Sequence, residues 1–158
     1  MKKTTSRNGF TLIELIIVMV ILGIMAAVAV PRYLDSIANA EESAEDAVIS
    51  AIRNGLKQYA NNSLLDNGRA SWPRDPFDAL SEKPAGYNAE NTDVANTDGE
   101  WTFIDMGDDD ISWITHQRAD NSRYYWEYDD GIQENGFDDN ENNDNTSIGT
   151  LGERQVWE

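Results

Sequence analysis

Cysteine is absent from the 158 residues, histidine occurs once, and basic residues number 12 against 29 acidic ones. Without Cys there can be no disulfide, thiolate nucleophile or Cys-based zinc site, and a single His cannot build a multi-His metal centre. Any core must therefore hold by packing and polar contacts alone. The net charge of −17 repels phosphate backbones, which argues against direct nucleic-acid binding and favours a demand for cations. Catalytic motifs are missing too. There is no Gly-x-Ser-x-Gly elbow, no phosphate-cradling glycine loop, and no nucleophile spaced to meet His116 as a base. Carboxylate pairs are so common that none stands out. These absences point away from an enzyme.

What the chain has is one long apolar run. Phe10 to Val30 carries a single charge, Glu14. At about 1.5 Å per residue this run spans about 30 Å, the thickness of a bilayer core. Lys2, Lys3 and Arg7 precede it, as the positive-inside rule asks of a membrane anchor. A secretory signal cut after Ala27-Val28-Ala29 is an alternative, but its apolar region would be shorter and would not hold Glu14. A plain anchor also leaves Glu14 unexplained, because a charge at mid-bilayer costs about 2.5–3.5 kcal/mol on insertion scales.

The stretch Arg7-Asn8-Gly9-Phe10-Thr11-Leu12-Ile13-Glu14-Leu15 resembles the leader and processing site of type IV pilins and type II secretion pseudopilins. The resemblance covers residues 1 to 33, and beyond them the match is architectural only. It implies cleavage between Gly9 and Phe10 by a membrane-embedded prepilin peptidase and N-methylation of the new Phe10 amine. It also implies that Glu14 accepts the amine of a neighbouring subunit as it enters a filament. On that reading Glu14 is retained because its final surroundings are other helices, and a buried charge in search of a partner sets register.

Pro31 removes one helical N–H and crowds the preceding turn, which either ends the helix or kinks it. A kink is expected, because an apolar pattern resumes at once through Leu34, Ile37, Ala44, Val48, Ala51, Ile52 and Tyr59. Asp35, Glu41, Glu42, Glu45, Arg53 and Lys57 fall mostly off that stripe. One bent helix from Phe10 to about Ala60 follows, ended by the turn chemistry of Asn61-Asn62 and Asn67-Gly68. Gly23 and Pro31 mark where filament packing would locally unwind it.

Residues 1–60 are balanced in charge, so the whole of the −17 falls on residues 61–158. Trp72 to Pro84 reads as an ordered loop anchored by Trp72, Phe77 and Leu80. Residues 85–99 read as exposed loop. Strands are expected at Glu100–Asp105, Ile111–His116 and Tyr124–Tyr128. Alternation places Trp101 with Phe103, Ile111 with Trp113, and Tyr124 with Trp126 and Tyr128 on single faces. An antiparallel meander covering the helix stripe is the simplest construction, and core packing is the expected role of its aromatics. His116 is expected to be solvated or on an edge. Ile148, Leu151, Val156 and Trp157 should bring the tail back to the domain.

Asp138, Asp139, Asn140, Glu141, Asn142 and Asp144 form the one candidate metal site. Asp138, Asn140 and Asn142 have the spacing of the opening ligands of a calcium loop, but Asn143 and Gly149 stand where an EF-hand needs Gly and Glu. A looser oxygen-ligand loop for Ca²⁺ and a solvated acidic loop both remain open. Type II secretion pseudopilins resemble the former in carrying a C-terminal calcium loop.

The expected fold is α+β, with a long bent N-terminal helix packed on a small antiparallel sheet. The expected divisions are a leader (1–9), a membrane and assembly helix (10–30), its amphipathic continuation (31–60) and an acidic globular domain (61–158). The expected function is that of a structural subunit of a type IV pilus-like filament. It would require no cofactor other than the calcium just considered. Its partners would be further copies of itself, the prepilin peptidase and a pilus or secretion assembly machinery. It would reside in the bacterial inner membrane as precursor, then in an extracellular or periplasmic filament. A pseudopilin of a type II secretion system is the alternative, and an anchored binding domain that never polymerises is the rival of another class.

Overall fold

The computed structural model describes residues 9–107, 111–131 and 148–158. Two compact units are present, Met1–Ser43 and Ala44–Glu158. A helix, α1 (Leu12–Asn67), starts in the first unit and runs on into the second, with Pro31 inside it. Within the first unit, every residue from Gly9 to Ala40 is exposed, Leu, Ile, Val and Met included. The helix is long and apolar enough to cross a membrane. An apolar surface of this extent on one helix marks a lipid or partner contact.

The second unit packs the C-terminal part of α1 on a sheet of β1 (Trp101–Ile104), β2 (Ser112–Gln117), β3 (Arg123–Tyr128) and β4 (Gln155–Val156). The strands are antiparallel in the order β1-β2-β3-β4, so the expected meander is present with one added short strand. The turn between β2 and β3 is tight. Arg118 N–H donates to the Ser122 carbonyl at 2.9 Å, and Asn121 takes a φ of 64°, a conformation its short polar side chain tolerates. As expected, Leu151 comes back to the core, and an isolated bridge joins it to Tyr128.

Ile49, Ile52 and Leu56 from α1 meet Trp101, Ile114, Trp126, Tyr128, Phe77 and Leu151 in the core. Burying each aliphatic chain contributes about 1.5–3 kcal/mol. The stripe on α1 is displaced from the expected one. Val48 and Ile52 do face the core, but Ala44, Ala51 and Tyr59 are exposed, and Glu45, Ile49, Leu56 and Ser63 take their places. The reason is that Glu45, counted as polar and outward, finds buried partners on the sheet.

The helix also passes Asn61-Asn62 and ends at Asn67. Ser63 holds this extra length, bonding the Arg69 carbonyl at 3.0 Å and the Ser71 hydroxyl at 2.7 Å. Gly68, with φ of 73°, then ends the helix, its N–H donating to the Leu64 carbonyl at 3.0 Å.

On β2 the expected face is reversed. His116 pairs with Trp101 and with Tyr124, and Ile114 with Phe103 and Trp126, so Ser112, Ile114 and His116 face the helix. Trp113 stands on the opposite face, where it meets Tyr125 and Trp157 edge-on at 6.3 and 5.7 Å. That face is only partly open. The loop at 85–99 is mostly exposed, as expected, but it lies along this face, with Ala95 fully buried and its N–H on the Thr115 hydroxyl at 2.8 Å.

Two loops are pinned by carboxylates. Asp75 caps a short 3₁₀ turn at Pro76–Ala79, accepting from Phe77 N–H at 2.8 Å, and also accepts the Tyr87 hydroxyl. The predicted anchors hold: Phe77 is fully buried, and Trp72 and Leu80 pack on the core. Gly55 lets α1 approach this turn, since a Cβ there would lie 2.6 Å from the Ala79 carbonyl oxygen. Glu100 holds the second loop by accepting from Asn88 and Asn91 side chains and from Asn96 and Thr97 amides, all at 2.8–3.2 Å.

Candidate functional sites

The start of α1 gathers the processing and assembly candidates. Gly9 and Phe10 lie just outside the helix, with Phe10 94% exposed. Thr11 is the N-cap and Glu14 lies three residues on. Glu14 Oε2 accepts Thr11 N–H at 2.8 Å and Thr11 Oγ1–H at 2.7 Å, while Glu14 N–H donates to Thr11 Oγ1 at 3.3 Å. This is a reciprocal capping box, which satisfies N–H groups that a helix start otherwise leaves orphaned. A carboxylate here also meets the positive end of the helix dipole. Sequence reasoning treated Glu14 only as a partner for another chain and missed this local role. The signal was legible as Thr-x-x-Glu ahead of an apolar run. Gly23 has open space around it, with nothing within 4 Å of an added Cβ, so nothing within its own unit requires glycine there. Pro31 lies within α1 and does not end it.

The second unit buries a charge. Glu45 of α1 is 1% exposed and His116 and Arg118 are each 7% exposed, so the expectation of a solvated or edge His116 is overturned. Arg118 grips the carboxylate with two donors, Nε to Oε1 at 2.7 Å and Nη2 to Oε2 at 2.5 Å. His116 Nδ1 lies 2.8 Å from Oε1, and Arg154 Nη1 donates to Oε2 at 3.3 Å. His116 stacks on Trp101 at 4.2 Å. The Tyr124 ring lies under both guanidinium groups, 4.1 Å from that of Arg118 and 5.5 Å from that of Arg154. Burial pushes the Glu45 carboxyl upward, but the hydrogen bonds and charges of Arg118 and His116 outweigh it and bring it down to about 2. Every acceptor position of Glu45 is engaged by protein donors, which makes the cluster a joint and leaves no opening for a substrate.

Further along α1, Arg53 donates to the carbonyls of Gly152 at 2.9 Å and Leu151 at 3.4 Å, fastening the C-terminal segment to α1. Gly149, with φ of 71°, packs so closely that a Cβ would fall 2.1 Å from the Trp72 indole nitrogen. Among the described residues no group of three His, Asp or Glu is placed to hold a metal ion. The candidate calcium ligands Asp138, Asp139, Asn140, Glu141, Asn142 and Asp144 lie outside the described residues.

Comparison with known proteins adds the following. Residues 4–30 match the family described as the prokaryotic N-terminal methylation motif. The chain is 36% identical over 112 residues to a fimbrial protein of Dichelobacter nodosus, covering 64% of this chain and 68% of that one. It is 37% identical over 78 residues to type II secretion system core protein G of Aeromonas hydrophila, covering 49% and 52% respectively. It is 45% identical over 71 residues to the type IV major pilin protein PilE of Neisseria gonorrhoeae, covering 45% and 39%. The chain thus spans about half the length of several curated relatives it matches. No solved structure matches it significantly.

Proposed function

We propose that this chain, which belongs to the type IV pilin and type II secretion pseudopilin family, is a structural subunit of a pilus-like filament. The observation that carries the reading is the N-terminal motif set on an apolar helix with every side chain from Phe10 to Ala40 exposed. That surface needs lipid before assembly and neighbouring helices after it. Cleavage between Gly9 and Phe10 by a prepilin peptidase frees an amine, and N-methylation follows on Phe10. The amine of one subunit then meets Glu14 of another, and Glu14 exchanges its Thr11 hydrogen bonds for a charged partner as the subunit leaves the membrane. Gly23 and Pro31 give the helix places to adjust in the packed filament. The chain works mechanically, with the inner membrane and an assembly machinery as its precursor-stage partners.

A pseudopilin reading is favoured by one observation, the 37% identity to the core protein G of Aeromonas hydrophila. The proposal of Ca²⁺ at Asp138 to Asp144 belongs with it, resting on oxygen ligands at alternate positions.

Mass spectrometry of the N-terminus from protein recovered from its native cell tests the main proposal. A chain starting at methylated Phe10 is expected. A chain starting at Met1, or cut after Ala29, refutes it. Loss of surface fibres on deletion of the gene marks a pilus subunit, and accumulation of undelivered exoproteins marks a pseudopilin.

A further inference from the structure

We propose that the buried cluster of Glu45, His116, Arg118 and Arg154 is a registration device, which selects one setting of α1 on the sheet. This goes beyond the filament reading and does not depend on it, because every residue involved lies within the second unit.

The apolar part of the interface discriminates poorly between settings. Ile49, Ile52 and Leu56 are aliphatic, of similar volume, and spaced three to four residues apart along α1. A slip of one helical turn would exchange one for another, and volume-conserving apolar exchanges of this kind are the core changes that proteins tolerate best. Glu45 cannot be exchanged in this way. A slip that brings Ile49 to its position sets an aliphatic chain before two guanidinium groups, one of them on Arg118, which is only 7% exposed. A slip in the other direction carries Glu45 to the place of Ile49, in the cluster of Trp101, Ile114 and Trp126, and takes it off the two-pronged grip of Arg118. Either outcome strands a buried charge, and removing one partner of a buried pair is strongly destabilising.

The geometry is built for selection. Arg118 approaches as a two-pronged fork, which fixes both position and orientation of the carboxylate. Arg154 reaches the same carboxylate from the C-terminal segment, so one side chain on α1 addresses the end of β2 and the tail together. Gly55 against the Ala79 carbonyl is a steric stop on the same helix, but a stop excludes bulk and attracts nothing. Glu45 supplies the attraction.

The test uses the full chain in detergent micelles and counts tryptophan indole N–H cross-peaks by NMR. The sequence holds five Trp residues, and Trp101 and Trp126 lie in the core beside the cluster. Wild type should give five peaks. The apolar variant E45M/R118M/R154M should stay folded but give extra indole peaks, because several settings of α1 become close in energy. E45Q, which keeps the shape and an acceptor, should melt at a lower temperature yet return to five peaks. Five undisplaced peaks in the triple variant would overturn the proposal, leaving register to Gly55 and aliphatic packing. Complete loss of dispersion in the triple variant would overturn it too, since the cluster would then contribute stability alone.

Discussion

Replacing Glu45 by Gln should flatten the acid limb of the stability curve. The Glu45 side chain is fully buried against Arg118, with His116 and Arg154 completing its contacts. Lowering a carboxyl from an ordinary 4.5 to about 2 corresponds to about 3 kcal/mol of folding free energy. Because the folded-state value is depressed, this contribution is complete above about pH 4.5 and is lost as pH falls through about 2. Many other carboxylates titrate in the same window, so the wild-type curve alone cannot isolate it. The difference between wild type and Glu45→Gln can. Urea unfolding of both full-length chains in the same micelles, followed by tryptophan fluorescence from pH 7 to pH 2, measures that difference. The gap between the curves should be largest near neutral pH, at about 2–4 kcal/mol, and should close toward pH 2. Glu45→Ala should cost more than Glu45→Gln at neutral pH, because it leaves two guanidinium groups without their acceptor. Parallel curves, with a gap independent of pH, would refute the reasoning. They would mean that Glu45 holds the same pKa folded and unfolded.

Other substitutions probe separate parts of the molecule. Gly149→Ala should lower stability by about 2–3 kcal/mol, since its Cβ would enter the Trp72 ring and its φ of 71° disfavours a side chain; thermal melts read this directly. Glu100→Gln should speed hydrogen exchange of the Asn96 and Thr97 amides by roughly tenfold or more, because an amide cannot accept from all four donors. Unchanged protection would show that the loop is held by other contacts. Glu14→Ala should abolish efficient filament assembly, with membrane insertion as good as or better than wild type; normal fibres would exclude an assembly role. Calcium against chelator, at matched ionic strength, should raise the melting midpoint if residues 138–144 take Ca²⁺, and equal midpoints would remove that proposal.

Much of the fold was legible because its signals are local. Val48 and Ile52 were placed on the core-facing side from 3.6-residue periodicity, and three of the four strands from alternation and β-branched or aromatic content. β4 was missed because two residues form no pattern, although Val156 and Trp157 announced a returning tail. The capping box of Thr11 and Glu14 is equally local, a Thr-x-x-Glu pattern ahead of an apolar run.

The choice of face on β2 was not legible. Ile111, Trp113, Ser112, Ile114 and His116 alternate equally well in either sense, and only pairing with Phe103 and Trp126 decides between them. Counting apolar residues favoured Trp113 as core, but the helix offered a carboxylate at the opposing position, and His116 answered it.

By itself, then, the sequence determined the processing motif, the membrane-length apolar helix, the acidic character of the domain and an antiparallel meander. The motif follows from its likeness to a known family, and the others follow from composition or from a period of two to four residues, which neighbours along the chain are enough to express. Tertiary structure alone decided that Glu45 and His116 are buried and that the 85–99 loop lies along the sheet. The partners of Glu45 lie 71, 73 and 109 residues away, and a charge is stable in the interior only once such partners have arrived.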